Sequence, residues 1–566
     1  MRKVLILMAV LSGILPGAVE PRRWDTLVDR FFDEYFHFNP SAGTSAGFHQ
    51  YDTRLEDYSA ASVQRYVAAL HRFETEVSGF PAAGLSGEQA ADRDLVLGTI
   101  RAALLDLETI RNYQRNPDNY TSTATNAIFV VMSRNFAPAE QRLKAVVERE
   151  RQIPALLAAA RANLKSPPRV YTEIALEQLP GMISFLQKDV PLAFTAVKDQ
   201  ALLAQFQKSN GDAVHELGTY ENFLRNLLPK STGDFQIGAE NFRHKLLYEE
   251  MVDIPLDRLL QIGYADLHNN QRLLRETAAR IDPKKTPQQI LEESGRDHPA
   301  PDKLLDAFRN TFAGLRDFIT QHNIATIPSS GAPIVEETPP FMRALTFASM
   351  DTPGPYENTA KEAFFNVTLA EKSWTPKQID EHMSAFNPGT IASTAIHEAY
   401  PGHYVQFLWV KNAPSKVRKL LGANSNAEGW AHYCEQMMID EGYGGGDLRL
   451  RLGQLQDALL RNARYIVGIE MHTGKMTFQQ GVDFFVNEGM QSRTNGERET
   501  KRGTSDPTYL YYTLGKLEIL KLREDYKKLR RSAFSLREFH DSFLKQGFPP
   551  IRIVRRTMLG NDSPVL

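Results

Sequence analysis

The stretch "IHEAYPGHYVQ", Ile396 to Gln406, decides how the rest of the chain is read. It opens like a zinc-binding helix, with His397 followed at once by Glu398, yet its next histidine, His403, comes six residues on instead of four. In the His-Glu-x-x-His pattern, positions i and i+4 lie about 400° apart around a helix, so both imidazoles face one metal. A spacing of six is about 600°, which turns the second ring roughly 120° away from that face. A straight helix therefore fails. Pro401-Gly402 supplies a remedy, because proline lacks an amide proton and clashes with the preceding turn, while glycine admits backbone angles closed to other residues. The expectation is a helix that breaks there and swings His403 back toward His397.

A catalytic zinc takes three protein ligands and keeps a fourth position open. The third ligand is expected downstream, in "AEGWAHYCEQM", where Glu428 lies 25 residues after His403. His432 and Glu435, at i+4 and i+7 from Glu428, share its helix face and read as supporting groups.

Helical periodicity dominates the remainder. In "WDTLVDRFFDEYFHF", Leu27, Phe31, Phe32 and Tyr35 recur at spacings of three and four, and "DRLLQIGYADLHNNQRLLRETAARI" and "TYLYYTLGKLEILKLREDYKKL" repeat the pattern. Proline and glycine clusters near 166–168, 282–287 and 327–340 punctuate it. The exceptions, "APIVEETPPFMRALTFASM" and "AFFNVTLAEK", are β-branched and aromatic runs that predict a few strands just before His397. The expected fold is mainly α: two helical lobes, 24–290 and 291–566, around a deep cleft, with a small antiparallel sheet beside the active-site helix.

The 566 residues are 42% hydrophobic and 24% charged, the composition of a folded globular chain. Their 66 basic and 68 acidic residues nearly cancel, which excludes the strong field that gathers nucleic acid or anionic membrane. The opening "MRKVLILMAVLSGILPGAVE" has a basic start, an apolar run and small residues after it, and residues 1–18 read as a signal peptide. Its apolar run is shorter than the roughly 20 residues a bilayer span needs. An exported, soluble mature chain without a membrane span is expected, periplasmic or extracellular. The single cysteine, Cys434, excludes an intramolecular disulfide, and no cysteine follows the apolar run to take a lipid.

Three motifs together carry a resemblance. They are "HEAYPGHY" at 397–404, "EGWAHYCE" at 428–435, and Glu499, Arg502, Pro507, Tyr512 and Gly515 within "ETKRGTSDPTYLYYTLG". With "DEYFHFNPSAGTSAGFHQYDTRLEDYS" near the start, the chain resembles the bacterial domain-of-unknown-function 885 family (DUF885) over almost its whole length. Two departures stand out: Tyr404 where that family often has a further histidine, and His432 where it usually has an aliphatic residue. The resemblance implies a helical fold similar to zinc-dependent carboxypeptidases and oligopeptidases. It further implies one zinc per chain on His397, His403 and Glu428, Glu398 as general base, and Tyr512 and Arg502 as stabilisers of an oxyanion or a substrate carboxylate. The expected activity is hydrolysis of short peptides. The same chemistry serves esters and non-peptide amides, and an exported helical binding protein without catalysis is the alternative from another class.

Other signatures are weaker. "GTSAG", Gly43 to Gly47, fits G-x-S-x-G, but a nucleophile elbow needs a strand before Ser45 and none is read there. No phosphate-binding G-x-x-x-x-G-K-[ST] loop occurs. The basic "KLREDYKKLRR" interleaves acids and leucines and reads as a solvated helix face.

Overall fold

The computed structural model describes residues 19–81, 83–343 and 346–566. Residues 1–18, on which the signal-peptide reading rests, lie outside the described residues.

Helices form where apolar residues recur three and four apart and a polar residue stands ready to cap. In Val19–Phe38, Trp24, Leu27, Val28, Phe31 and Phe32 are buried on one face, against Val63, Tyr66, Leu70 and Phe73 of Ala60–Ser78. Phe31 and Phe73 meet edge to face at 5.7 Å, the arrangement that aromatic quadrupoles favour. Ser86 with Gln89, Thr286 with Gln289, Thr375 with Gln378 and Thr477 with Gln480 each form a reciprocal capping box. Each box satisfies two amides that the first turn leaves unpaired.

A second cluster fills the space between Asp118–Met132, Ala139–Glu150, Arg169–Ser184 and Gln200–Leu227, with Ile128, Val146, Leu179 and Leu217 at its centre. A third joins Leu259, Leu267 and Leu274 of Leu256–Ile281 to Leu452, Leu455 and Ile466 of Leu448–His472, so residues on either side of position 290 share one apolar core. Each fully buried leucine in such a cluster contributes about 1.5–3 kcal/mol of transfer free energy.

The strands lie where the sequence places them, but their directions differ from expectation. β1 (Ile334–Glu337), β2 (Ala348–Asp351) and β3 (Phe364–Val367) form one sheet in the order β1-β3-β2. β2 runs antiparallel to β3 and β1 runs parallel to it, so the sheet is mixed, not antiparallel. A parallel pair needs a long crossover, and residues 338–363, which contain β2, supply it. Side-chain alternation reports which face is buried and carries no signal for strand direction. Phe365 of the central strand packs between Phe308 and Phe312, at 5.0 and 5.2 Å. β2 is left as the edge that borders a large cavity.

Among the described residues, no helix is long and apolar enough to cross a membrane. Cys434 is a buried free thiol.

Candidate metal centre

The helix Pro388–Glu398 begins at Asn387, whose side chain accepts from the amides of Gly389 and Thr390, and it ends at Glu398. The next helix, His403–Val410, begins at His403 itself. Between them the Tyr400-Pro401 bond is cis, and the chain folds back onto the turn it has just left: Tyr400 N donates to Ala395 O at 3.1 Å and Gly402 N to Ile396 O at 3.0 Å. The approach is so close that a Cβ on Gly402 would stand 1.8 Å from the His397 carbonyl oxygen. Only glycine fits there. The break expected from Pro401-Gly402 is present, and it sets the His397 and His403 rings nearly perpendicular with centroids 4.9 Å apart.

Glu428 arrives from a separate helix, Asn424–Asp440. Trp430 of that helix donates its indole N–H to Pro401 O at 2.9 Å, tying the helix to the bend. On its other side the helix meets Tyr511–Arg530 backbone to backbone, because a Cβ on Gly429 would lie 2.5 Å from Gly515 Cα. That contact brings Tyr512 to the same place, its ring centroid 6.3 Å from that of His397. One oxygen of Glu428, Oε2, lies 3.3 Å from Nε2 of both histidines.

Glu435, two turns further along, anchors the assembly from behind. Its Oε1 accepts from His397 Nδ1 at 2.6 Å and pairs with Arg461 Nη2 at 2.8 Å, and its Oε2 accepts from His432 Nδ1 at 3.0 Å. Burial opposes the charge on Glu435, but Arg461 and His432 outweigh it and hold the carboxyl far below its usual range. Burial also opposes charge on His397, yet Glu428 and Glu435 raise its pKa to about 9. Glu428 is pulled well below the usual carboxylate range, burial again being outweighed, here by His403 and His397. Burial lowers His432 to about 4, so it meets Glu435 as a neutral donor.

The donor set fits a tetrahedral divalent ion. Zinc–nitrogen and zinc–oxygen bonds of about 2.0–2.1 Å at tetrahedral angles put neighbouring donors roughly 3.3 Å apart. The two Glu428–histidine separations are 3.3 Å, and all three ligand atoms lie within 4.8 Å of one another. His397 gives its other nitrogen to a carboxylate, the arrangement that fixes a ligand imidazole in one tautomer and orientation.

The remaining expected residues border the same cavity of about 1160 Å³, which Glu398, Arg502 and Tyr512 line together with the three ligand candidates. Glu398 is half-buried. Burial raises its pKa, and the amide of Met350 on β2 bonds to it. Arg502 Nη2 donates to the Tyr512 hydroxyl at 3.0 Å and approaches Asp506 Oδ2 at 3.3 Å. Burial raises the Tyr512 pKa, which keeps its phenol protonated. Ser45 stands apart, exposed in the short helix Pro40–Ala46 with no strand before it.

A family model described as bacterial protein of unknown function (DUF885) matches residues 40–558. The chain belongs to the DUF885 family. Solved structures that share its fold include two lipoprotein candidates. One is a lipoprotein candidate of unknown function from Shewanella oneidensis, 26% identical, with a TM-score of 0.77 over 95% of this chain and 99% of that one. The other is a lipoprotein candidate from Colwellia psychrerythraea, 18% identical, with a TM-score of 0.81 over 95% and 98%. No curated protein matches the sequence.

Sequence reasoning missed part of this DUF885 site. Asp457, Arg461 and Arg464 project from Leu448–His472 into the cavity. Arg464 is held by Glu499 through two bonds of 2.6 and 2.8 Å, with its guanidinium carbon 4.8 Å from the Tyr512 ring centroid. The available signal was three charges spaced four and three apart in "DALLRNARYIVG", a stripe on a helix otherwise apolar enough to be core.

Proposed function

We propose that this chain is an exported zinc-dependent hydrolase of short peptides, built as two helical lobes about a zincin-like cleft. The observation that carries the reading is the convergence of both imidazoles on one Glu428 oxygen at 3.3 Å, with His397 braced from behind by Glu435. His397, His403 and Glu428 would hold the ion. When bound, zinc supplies Lewis acidity and brings the pKa of water down to about 7.

The chain's own residues perform the proton and charge work. Glu398, raised by burial toward the working pH, takes a proton from the attacking water and returns it to the leaving amine. The Tyr512 hydroxyl and Arg502, already bonded to each other, donate to the oxyanion that develops on the substrate carbonyl. Because Glu435 and Arg461 are buried and paired, the His397 ring is oriented before substrate arrives. Export is supported by the lipoprotein descriptions of the two structural relatives.

The test is metal content and hydrolysis measured on the same preparation. After purification in zinc-containing buffer, one zinc per chain is expected, and a chelator should abolish cleavage of a peptide panel that added zinc restores. Simple esters and blocked peptides run beside that panel distinguish a peptidase from an esterase. A protein that retains no metal, and whose measured rates are unaltered by Glu398→Gln, would overturn the reading.

A further inference from the structure

We propose that Arg498 receives the terminal carboxylate of the substrate, so that the preferred substrates are short peptides with a free C-terminus and an apolar last residue. This deepens the hydrolase reading and rests on it.

Five arginines line the cavity among the described residues: Arg461, Arg464, Arg493, Arg498 and Arg502. Four are committed. Arg461 pairs with Glu435, Arg464 with Glu499, Arg493 with Asp483, and Arg502 with Asp506 and Tyr512. Arg498 has neither a hydrogen bond nor an ion pair among the described residues. Its guanidinium carbon lies 4.4 Å from the Phe347 ring centroid. Burial lowers its pKa, and Glu499 and Glu177 act on it only through their fields. A guanidinium lying over a ring keeps its N–H edges free for a second planar partner, and a carboxylate matches that fork with two parallel bonds.

The position suits a substrate end. Arg498 belongs to the helix Arg493–Ser505, while Phe347 directly precedes β2, so the stacked pair reaches from one wall of the cavity to the sheet edge. The ligand candidates line the same cavity. Its volume of about 1160 Å³ exceeds the range that holds a drug-sized molecule, roughly 300–1,000 Å³. Beside Arg498, Phe347, Trp374 and Phe386 border the space, Phe347 and Phe386 with centroids 6.1 Å apart. A carboxylate on Arg498 therefore places the adjoining side chain against aromatic surface.

The experiment compares N-acetyl-alanyl-phenylalanine with its C-terminal amide. Binding is measured calorimetrically to the full chain carrying Glu398→Gln, purified in zinc-containing buffer, and hydrolysis is measured on the protein with Glu398 intact. A charge-assisted pair predicts that the free acid binds roughly 10- to 100-fold more tightly than the amide. Adding Arg498→Ala should collapse that ratio to about threefold or less, with Arg498→Lys retaining an intermediate value. Should the alanine variant fail to fold, Arg498→Gln, which keeps the stem over Phe347, is judged by the same ratio. Equal binding of acid and amide, or an undiminished preference without Arg498, overturns the proposal. Hydrolysis of both compounds without preference overturns Arg498 alone. A preference in binding with no hydrolysis of either upholds the carboxylate site and overturns the hydrolase reading.

Discussion

His397, at the cavity wall, and His432, His472 and His540, in the helical core behind it, are all buried. The first is raised to about 9, while the others fall to about 4, 4 and 3. Burial pushes every one of them toward the neutral form. His472 and His540 offer a nitrogen to a backbone carbonyl, at 2.7 Å in each case, and among the described residues no carboxylate pairs with either ring. His432 touches Glu435, but that carboxylate is already matched by Arg461. Of these four buried histidines, among the described residues only His397 lies between two carboxylates, Glu428 and Glu435. Burial alone makes a histidine part of the core; two converging carboxylates make it a site that attracts positive charge.

The comparison can be broken at several points. Glu398→Gln should lower kcat by roughly 10²- to 10⁴-fold with zinc content unchanged, because it removes the proton carrier and no ligand; steady-state kinetics beside metal analysis measure this. Glu435→Gln removes one of the two carboxylates that distinguish His397, and a loss of roughly 10- to 100-fold in zinc affinity or activity is expected, read by competition with a chromophoric chelator.

The core side is probed by acid. The folded-state pKa of His540, about 3, lies below the unfolded value near 6.5, so the unfolded chain takes the proton first. The stability this contributes is full above pH 6.5 and is lost as the pH falls toward about 3. Between pH 6.5 and 5 the loss is about 1–2 kcal/mol, which His540→Phe should remove from the pH dependence of denaturant unfolding. The smallest effect belongs to Ser45→Ala: hydrolysis unchanged and stability within about 0.5 kcal/mol, since Ser45 is the exposed residue of an otherwise largely buried short helix.

Much of this was legible from the chain itself. The 3.6-residue periodicity carried the helices, the β-branched runs carried the sheet, and Pro401-Gly402 carried the break between His397 and His403, because each is a local property of neighbouring residues. Strand direction in β1 and β3 was not legible, since it depends on where residues 338–363 travel. Asp457, Arg461, Arg464 and Arg498 were missed for a related reason. A charged residue on a helix reads as solvent-facing until the packing shows that its surroundings are core and, for Arg461 and Arg464, that the partners Glu435 and Glu499 come from other helices.

Gly429 and Gly515 set a mechanical limit. Where two main chains touch with nothing between them, the helix bearing Glu428 and the helix bearing Tyr512 share a hard stop, since a Cβ on Gly515 would lie 1.8 Å from Ser425 O. Side chains can change rotamer and let a joint creep, whereas two backbones in contact cannot. The pair acts as a gauge block at the root of the cavity, and the two absent methyl groups calibrate the width between its walls.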